Sequence, residues 1–253
     1  MNSYNSGNWP PVTKNLIIIN VLIWAVEFMF RSFAETGLIG RCGLHYIASD
    51  MFNPVQPITY LFLHEPSTPW HVFFNMFSLW MFGRLLENVW GSRRFLIFYF
   101  VCGIGAAAVQ ELTWTLTWRH EYISAIAQAN GLTYDHMDSI VRQAAAAGND
   151  QFLRAMAEVK SSMVTIGASG AVFGVLLGFA FVFPNMPLYL FFIPVPIKAK
   201  YMVLGYAVLE FFFGVSGSMS SVAHFAHLGG MIFGLIMLLY WKKKGTLRGG
   251  TFY

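Results

Sequence analysis

The chain has 253 residues, of which 56% are hydrophobic and only 11% are charged, whereas soluble domains carry about 25% charged residues. This composition excludes an ordinary soluble domain and indicates a protein that crosses a lipid bilayer several times. The formal net charge is +4, but the basic residues cluster between apolar segments. We therefore expect the lipid bilayer, and no nucleic acid, as a partner.

Six apolar segments have roughly the length of a membrane-spanning helix, which needs about 17–25 mostly apolar residues. The sequence predicts these spans at 15–31, 70–89, 95–116, 168–183, 199–214 and 222–241. Residues 184–197 are also apolar, but four prolines interrupt them. We interpret them as a connector at the membrane surface, since proline breaks a helix. The predicted fold is an all-α, polytopic bundle of six spans that forms a single domain over 1–253.

Basic residues predict the orientation of the spans, because Lys and Arg concentrate in cytoplasmic loops. They cluster at the N-terminus, after the second span, after the fourth span and at the C-terminus: Lys14, Arg84, Arg93, Arg94, Lys198, Lys200, Lys242, Lys243, Lys244 and Arg248. Both termini are therefore expected in the cytoplasm, and spans two, four and six all begin at the outer face. We expect an integral protein of a bacterial inner membrane.

The long segment 117–162, between the third and fourth spans, is predicted to lie outside the cell. The pattern "TYDHMDSIVRQAAAAGN" predicts a helix with Thr133 as its cap and Gly148 as its end, and a second helix is expected to begin at Asp150. The segment is interpreted as a helical hairpin that rests on the membrane surface. A substrate-recognition element is the alternative.

Three of the predicted spans carry polar residues near their outer ends, and polar groups inside a membrane are costly and are therefore candidates for function. Span two opens with His71 and Asn75, which share one helical face because they are four residues apart. Span four opens with Ser169, and span six has His224 and His227 in its first turns. Because these spans run in the same direction, we expect all five side chains at one depth near the outer surface.

Glycine spacing gives a reason why Ser169 and His227 would meet. Small residues recur at every fourth position: Gly170, Gly174 and Gly178 in span four, and Gly230 and Gly234 in span six. Such spacing allows two helices to approach closely in lipid. If the two glycine stripes face each other, Ser169 and His227 lie together at the outer end of the contact.

A serine hydroxyl becomes an effective nucleophile when a base takes its proton, and the neutral imidazole of His227 can do so. The sequence shows no evident acidic third member, so we predict a dyad of Ser169 and His227. The oxyanion of an acyl-transfer reaction needs hydrogen-bond donors. The backbone N–H of Ser169 at a helix start and the side chains of His71 and Asn75 are the candidates, while Gly167 would allow a tight turn.

These motifs resemble those of the rhomboid intramembrane serine proteases. The stretch "GASG" at 167–170 resembles the family's G-x-S-G, which makes Ser169 the nucleophile. The stretch "AHLGGMIFG" at 226–234 resembles A-H-x-x-G-x-x-x-G, which makes His227 the base. Of the two histidines, only His227 is followed by glycines three and seven residues later, so His224 is interpreted as a rim residue.

Two further motifs extend the resemblance over the six-span core, 15–241. The stretch "HVFFN" at 71–75 resembles H-x-x-x-N on the second span, which implies an oxyanion role for its histidine and asparagine, and "GRLLE" at 83–87 resembles a following G-x-x-x-E. His64 is a candidate for further polar support. Position 173, often tyrosine in the family, is Phe173 here, so a ring can still stack on the histidine but the hydroxyl is absent.

The resemblance implies a serine endopeptidase that hydrolyses peptide bonds within or near the transmembrane segments of single-pass or polytopic membrane proteins. No cofactor and no metal are expected. A substrate helix is expected to enter sideways between the second and fifth spans. Phe211–Phe213 at the end of span five is interpreted as a gate, and the Gly/Ser loop after it as a cap over the site.

Two alternatives come from other classes of protein. The first is an inactive relative that binds transmembrane segments without cutting them. The second is a transporter, which would place polar residues near the bilayer midplane. Most polar residues of the predicted spans lie instead at their outer ends, and Glu27 and Glu210 also fall toward those ends.

Overall fold

The structure is a computed structural model of the chain, and it describes residues 9–31, 34–190, 193–216 and 223–246. The longer helices of these ranges are α1 (Pro11–Met29), α2 (70–90), α3 (Ser92–Ala129), α4 (Tyr134–Ala146), α5 (Asp150–Ser162), α6 (Ser169–Val182), α7 (Ala199–Ser216) and α8 (His224–Lys243). Helix α2 consists of Trp70–Ser78, a π-helical stretch Leu79–Gly83, and Arg84–Trp90. Shorter helical turns between α1 and α2 are Ala34–Ile39, Gly40–Cys42, Gln56–Thr59 and Tyr60–Phe62.

Short antiparallel strand pairs join parts of the chain that are distant in sequence. Strand β1 (Leu44–His45) pairs with β2 (Val164–Thr165), so the loop after α1 is held against the segment that leads into α6. Strand β3 (Pro187–Leu190) pairs with β4 (Ile193–Lys198). This second pair occupies the proline-rich connector 184–197, where proline excludes a regular helix.

Four helices of the described ranges are long and apolar enough to cross a membrane, namely α1, α3, α7 and α8. Helix α6 is also apolar but has only 14 residues, about 21 Å at 1.5 Å per residue, which is shorter than the hydrocarbon core of about 30 Å. The prediction of an all-α membrane protein is confirmed at this level. The count of six spans and the cytoplasmic position of the termini stay predictions.

Two helix boundaries differ from the predicted spans by more than three residues. Helix α1 begins at Pro11 rather than at 15, because proline lacks an N–H and is suited to the first turn of a helix. Helix α3 continues past 116 to Ala129. The first part of the segment 117–162 is therefore a continuation of a candidate spanning helix, and only the rest of that segment forms α4 and α5.

Helix α4 packs against the end of α3 through a small cluster of its own. The buried members of this cluster are Ile123, Ala127, Met137 and Val141. Asp138 of α4 binds Arg142 and Arg119, each at an N–O distance of 2.7 Å. Hydrogen bonds from Arg142 and Arg119 lower the pKa of the Asp138 carboxyl. Thr133 caps α4 by accepting a hydrogen bond from the backbone N–H of His136.

Helix α6 is the most enclosed helix of the bundle, and α7 is much less so. Ten of the 14 residues of α6 are buried. In α7 only Ala199 and Val203 are buried, both near its start, and the side chains of Phe211 and Phe212 are 59% and 62% exposed. The C-terminal part of α7 therefore presents an apolar surface that a lipid environment would cover.

A buried carboxylate joins the start of α1 to the end of α2. Glu87, which is 2% exposed, accepts hydrogen bonds from the backbone N–H groups of Val12 at 3.0 Å and Thr13 at 2.7 Å. The hydroxyls of Thr13 and Ser92 also donate to it, at 2.8 and 2.7 Å. The first N–H groups of a helix have no partners within the helix, and the helix dipole favours a negative charge there. The glutamate of the "GRLLE" motif therefore connects α1, α2 and α3.

Replacing Glu87 with glutamine tests this connection. The amide keeps the size of the side chain but removes the charge and turns an N–H₂ group toward hydrogen-bond donors. We expect Glu87→Gln to lower the free energy of unfolding by about 2–3 kcal/mol, measured as a lower thermal unfolding midpoint in detergent. The exposed Glu158 of α5 provides the matched control Glu158→Gln, and equal midpoints for the two variants would contradict the role given to Glu87.

Candidate active site

Ser169 and His227 are brought into hydrogen-bond contact by two different helices. Ser169 is the first residue of α6, and His227 lies in the first turn of α8. The Oγ atom of Ser169 lies 2.8 Å from Nε2 of His227, which is a hydrogen-bond distance. If the hydroxyl donates, the imidazole proton must be on Nδ1. The pair then has the arrangement of a nucleophile and a base.

Glycines make this contact possible because they let the backbones of α6 and α8 touch. A Cβ added at Gly230 would overlap the carbonyl oxygen of Gly170, and one added at Gly174 would lie 2.9 Å from the carbonyl oxygen of Gly230. A Cβ at Gly234 would meet the Cα of Gly174 at 3.6 Å. The structure thus brings the two predicted glycine stripes together, and the serine and the histidine lie where the contact begins, near the N-terminal ends of both helices.

The imidazole of His227 is held in its plane by an aromatic ring. The ring of Phe173 stacks on it with a centroid distance of 4.3 Å and an interplanar angle of 6°. Phe173 is one turn after Ser169 on the same face of α6. Stacking therefore needs only the aromatic ring of residue 173 and not a hydroxyl. The stacked ring keeps the edge of the His227 imidazole directed toward Ser169.

Helix α2 places His71 beside the turn that precedes Ser169. The backbone N–H of Glu65 donates to Nδ1 of His71 at 3.3 Å, so the proton of a neutral His71 lies on Nε2. A Cβ at Gly167 would lie 2.8 Å from this Nε2 atom. The N–H of His71 is therefore a donor close to Ser169. Asn75 is buried on the same helix and uses one amide N–H to donate to the carbonyl of His71 at 3.0 Å.

Gly167 has a backbone conformation that favours glycine, with φ of 126°. Its N–H donates to the carbonyl of Tyr60 at 3.0 Å, and the hydroxyl of Tyr60 donates to the carbonyl of Gly103 at 2.8 Å. The turn before Ser169 is thus fixed to the loop after α1 and, through that loop, to α3. Any side chain at Gly167 would be strained and would also collide with His71.

His64 lies behind His71 and does not contact Ser169 or His227. The two rings meet edge to face with centroids 5.0 Å apart, and His64 is fully buried. Burial, with a smaller contribution from His71, lowers the pKa of His64 to about 3. The ring is therefore neutral, and it packs against the donor His71.

Sequence reasoning missed one residue of the site, Glu210 of α7. We expected no acidic third member, yet its Oε2 atom lies 3.0 Å from Nδ1 of His227 and 2.7 Å from Nδ1 of His224. His224 was interpreted as a rim residue, but it is only 6% exposed and binds this carboxylate. The available signal was the position of Glu210 in an apolar run near the outer end of its span.

Among the residues that the structure describes, one group has the composition of a metal site. Glu210, His224 and His227 present ligand-type atoms that all lie within 4.8 Å of one another. The present distances of 2.7 and 3.0 Å are those of hydrogen bonds and ion pairs. The carboxylate and the imidazoles are therefore partners of one another, and the expectation of no metal stays a prediction.

Comparison with known proteins gives one family match. The family model described as Rhomboid domain matches residues 53–118 and 139–244, which is more than half of the chain. The matched ranges contain all of α2, α6, α7 and α8, and therefore every residue of the site. The unmatched residues 119–138 lie at the end of α3 and the start of α4. No curated protein matches the chain.

The contact between α6 and α8 can be tested with Gly230→Ala. A methyl group there would overlap the carbonyl oxygen of Gly170, so we expect a loss of about 1–3 kcal/mol in the free energy of unfolding, measured as a lower thermal unfolding midpoint. Gly205 of α7 is the matched control, because nothing lies within 4 Å of a Cβ added at that position. A variant Gly230→Ala as stable as Gly205→Ala would contradict the close approach of the two helices.

Proposed function

This chain belongs to the rhomboid family, and we propose that it is an intramembrane serine endopeptidase that hydrolyses peptide bonds within or near the transmembrane segments of other membrane proteins. One observation carries the proposal, the 2.8 Å contact between Oγ of Ser169 and Nε2 of His227. An inactive relative that only binds transmembrane segments would have no use for a serine and a histidine at this distance.

Hydrolysis proceeds in two steps that use the same two residues. In the first step Oγ of Ser169 attacks the scissile carbonyl carbon while Nε2 of His227 takes the hydroxyl proton. The same nitrogen then gives that proton to the leaving amine, and the C–N bond breaks. In the second step His227 takes a proton from water, the hydroxide attacks the acyl-enzyme, and Ser169 recovers its proton as the second product leaves.

The negative oxygen of each tetrahedral intermediate needs donors that are already in position. We assign this role to the backbone N–H of Ser169 at the start of α6, to the Nε2–H of His71 and to the side-chain amide of Asn75. The backbone N–H groups at a helix start have no partners within the helix. The hydrogen bond from Glu65 to His71 supports the assignment, because it leaves the proton of His71 on the nitrogen near Ser169.

We further propose how the substrate, a single-pass or polytopic membrane protein, reaches the site from the bilayer. Its transmembrane segment enters between α2 and α7, because the outer part of α7 has little buried surface. Phe211–Phe213 would act as the gate; the loop predicted to cap the site includes 217–222, which lie outside the described residues. The site would open toward the extracytoplasmic face of a bacterial inner membrane, and 1–253 would act as one domain with the segment 117–162 outside.

Fluorophosphonate labelling of the purified protein tests the proposed nucleophile and base. We expect the wild type to be labelled and both Ser169→Ala and His227→Ala to lose labelling by at least about 10³-fold, since each member of such a pair is needed. Ser139→Ala and His136→Ala on the exposed face of α4 are the matched controls and should label normally.

Two outcomes of this experiment would contradict the proposal. Labelling that persists in Ser169→Ala would show that another residue is the nucleophile. A folded wild type that neither reacts with the fluorophosphonate nor cleaves a transmembrane peptide in lipid would support the inactive relative instead.

The gate is tested by replacing Phe211, Phe212 and Phe213 singly with alanine. Smaller side chains weaken the packing of α7, and the ring of Phe213 lies 5.7 Å from that of His224. We expect the rate of cleavage of a transmembrane peptide in lipid to change by about threefold or more in at least one variant. Val208→Ala, on an exposed part of the same helix, is the control. Unchanged kinetics in all three variants would contradict the gate.

A further inference from the structure

We propose that Glu210 is a positioning residue for His227, so that the reacting pair is supported by a carboxylate; this inference rests on the proposed function. The carboxylate oxygen Oε2 lies 3.0 Å from Nδ1 of His227. The other ring nitrogen, Nε2, lies 2.8 Å from Oγ of Ser169. Serine, histidine and glutamate therefore follow one another in the order of a catalytic triad, with the glutamate at ion-pair distance from Nδ1.

The carboxylate acts by selecting the form of the imidazole that can work as a base. Neutral histidine carries its proton on either Nδ1 or Nε2. A negative oxygen beside Nδ1 favours the proton at that nitrogen, which leaves the lone pair of Nε2 free to take the proton of Ser169. When Nε2 has taken that proton, the same negative oxygen stabilises the positive charge on His227.

The surroundings of Glu210 keep its carboxylate charged and in place. His224 donates from Nδ1 to the same oxygen at 2.7 Å. His224 is the first residue of α8, so the carboxylate lies at a helix N-terminus, where the dipole and the free N–H groups favour a negative charge. The side chain of Glu210 is only 14% exposed, and without these partners its burial as an ion would be costly.

The groups that face His227 come from four helices. Among the described residues the titratable ones are Glu210 from α7, His224 from α8 itself, and His71 from α2, while α6 contributes Ser169 and the ring of Phe173. Glu210 is the single acidic group of this set. The charge that can compensate an imidazolium at His227 therefore comes from α7.

Steady-state kinetics on a transmembrane peptide, with the full chain in lipid, test the positioning role. Glutamine keeps the shape of Glu210, but its amide can donate to Nδ1 and then favours the proton on Nε2, which is the wrong tautomer. We expect Glu210→Gln to lower kcat by about 10²-fold with KM changed by less than about twofold; the corresponding change in a serine-protease triad costs about 10⁴ in kcat. Glu210→Asp keeps the charge and should recover at least about tenfold of that loss.

Glu111 of α3 provides a matched control for the glutamine substitution. Like Glu210, Glu111 lies in a candidate spanning helix, and it accepts a hydrogen bond from the backbone N–H of Ile47. Among the described residues, its recorded partners do not include His227. Glu111→Gln should leave kcat within about twofold of the wild type. A loss in both variants would indicate that the glutamine substitutions act through general destabilisation.

Nitrogen NMR of protein labelled with ¹⁵N-histidine reports the tautomer of His227. This tautomer would not change if Glu210 contributed only to the stability of the fold. The resonances of His227 are those that disappear in His227→Gln. We expect the wild type to show the tautomer with the proton on Nδ1, and Glu210→Gln to shift His227 by more than half toward the tautomer with the proton on Nε2.

The outcomes separate this inference from the proposed function. An active enzyme whose kcat and His227 tautomer are unchanged in Glu210→Gln would overturn the role of Glu210 and leave the protease proposal standing. A wild type without labelling or cleavage would overturn the protease proposal, and the tautomer comparison would still decide whether Glu210 positions His227. If Glu210→Gln does not fold, Glu210→Ala serves instead, and an unchanged kcat and tautomer in a variant that lacks the carboxylate would overturn the inference.

Discussion

The direct contact between the backbones of α6 and α8 is the constraint on which the site depends. Serine has a short side chain, so its hydroxyl can reach the imidazole of His227 only if the two helix axes are unusually close. Lipid offers no hydrophobic force to drive two helices together, and small residues that allow dense packing take its place. Gly230 packs against the carbonyl of Gly170, and it therefore determines the geometry of the pair of Ser169 and His227 as well as the packing of the two helices.

His71 and His227 have opposite kinds of partner at Nδ1, and this difference fits the different roles proposed for them. A backbone N–H donates to Nδ1 of His71, so its proton is on Nε2 and the ring can donate to an oxyanion. A carboxylate lies beside Nδ1 of His227, and in the positioning role proposed for it this would leave Nε2 as the acceptor and the ring able to act as a base. Under the proposed function, two chemically identical rings would become an oxyanion donor and a base because Glu65 contributes its backbone N–H and Glu210 its carboxylate.

Sequence patterns predicted the parts of the structure that depend on local spacing. The lengths of the apolar segments indicated the membrane helices, and Thr133 indicated the start of α4. Glycines at every fourth position predicted the contact of α6 with α8. The role of Glu210 could not be predicted in the same way. The sequence indicates how deep a residue lies in the membrane, but it does not indicate which residues of other helices lie beside it. The extension of α3 to Ala129 was missed for a different reason: the apolar run ends near 116, while the residues after it still favour a helix.

The position of Glu210 on α7 connects the site to the least enclosed of the four candidate spanning helices in the described ranges. The buried residues of α7 lie at its start. Contacts between its C-terminal part and α8 include those of Glu210 with the two histidines and the ring contact of Phe213 with His224. A movement of this part of α7 that admits a substrate would also withdraw the carboxylate from His227. Under the proposed function, His227 would then be fully prepared as a base only after α7 has returned, so bond cleavage would be restricted to the closed state.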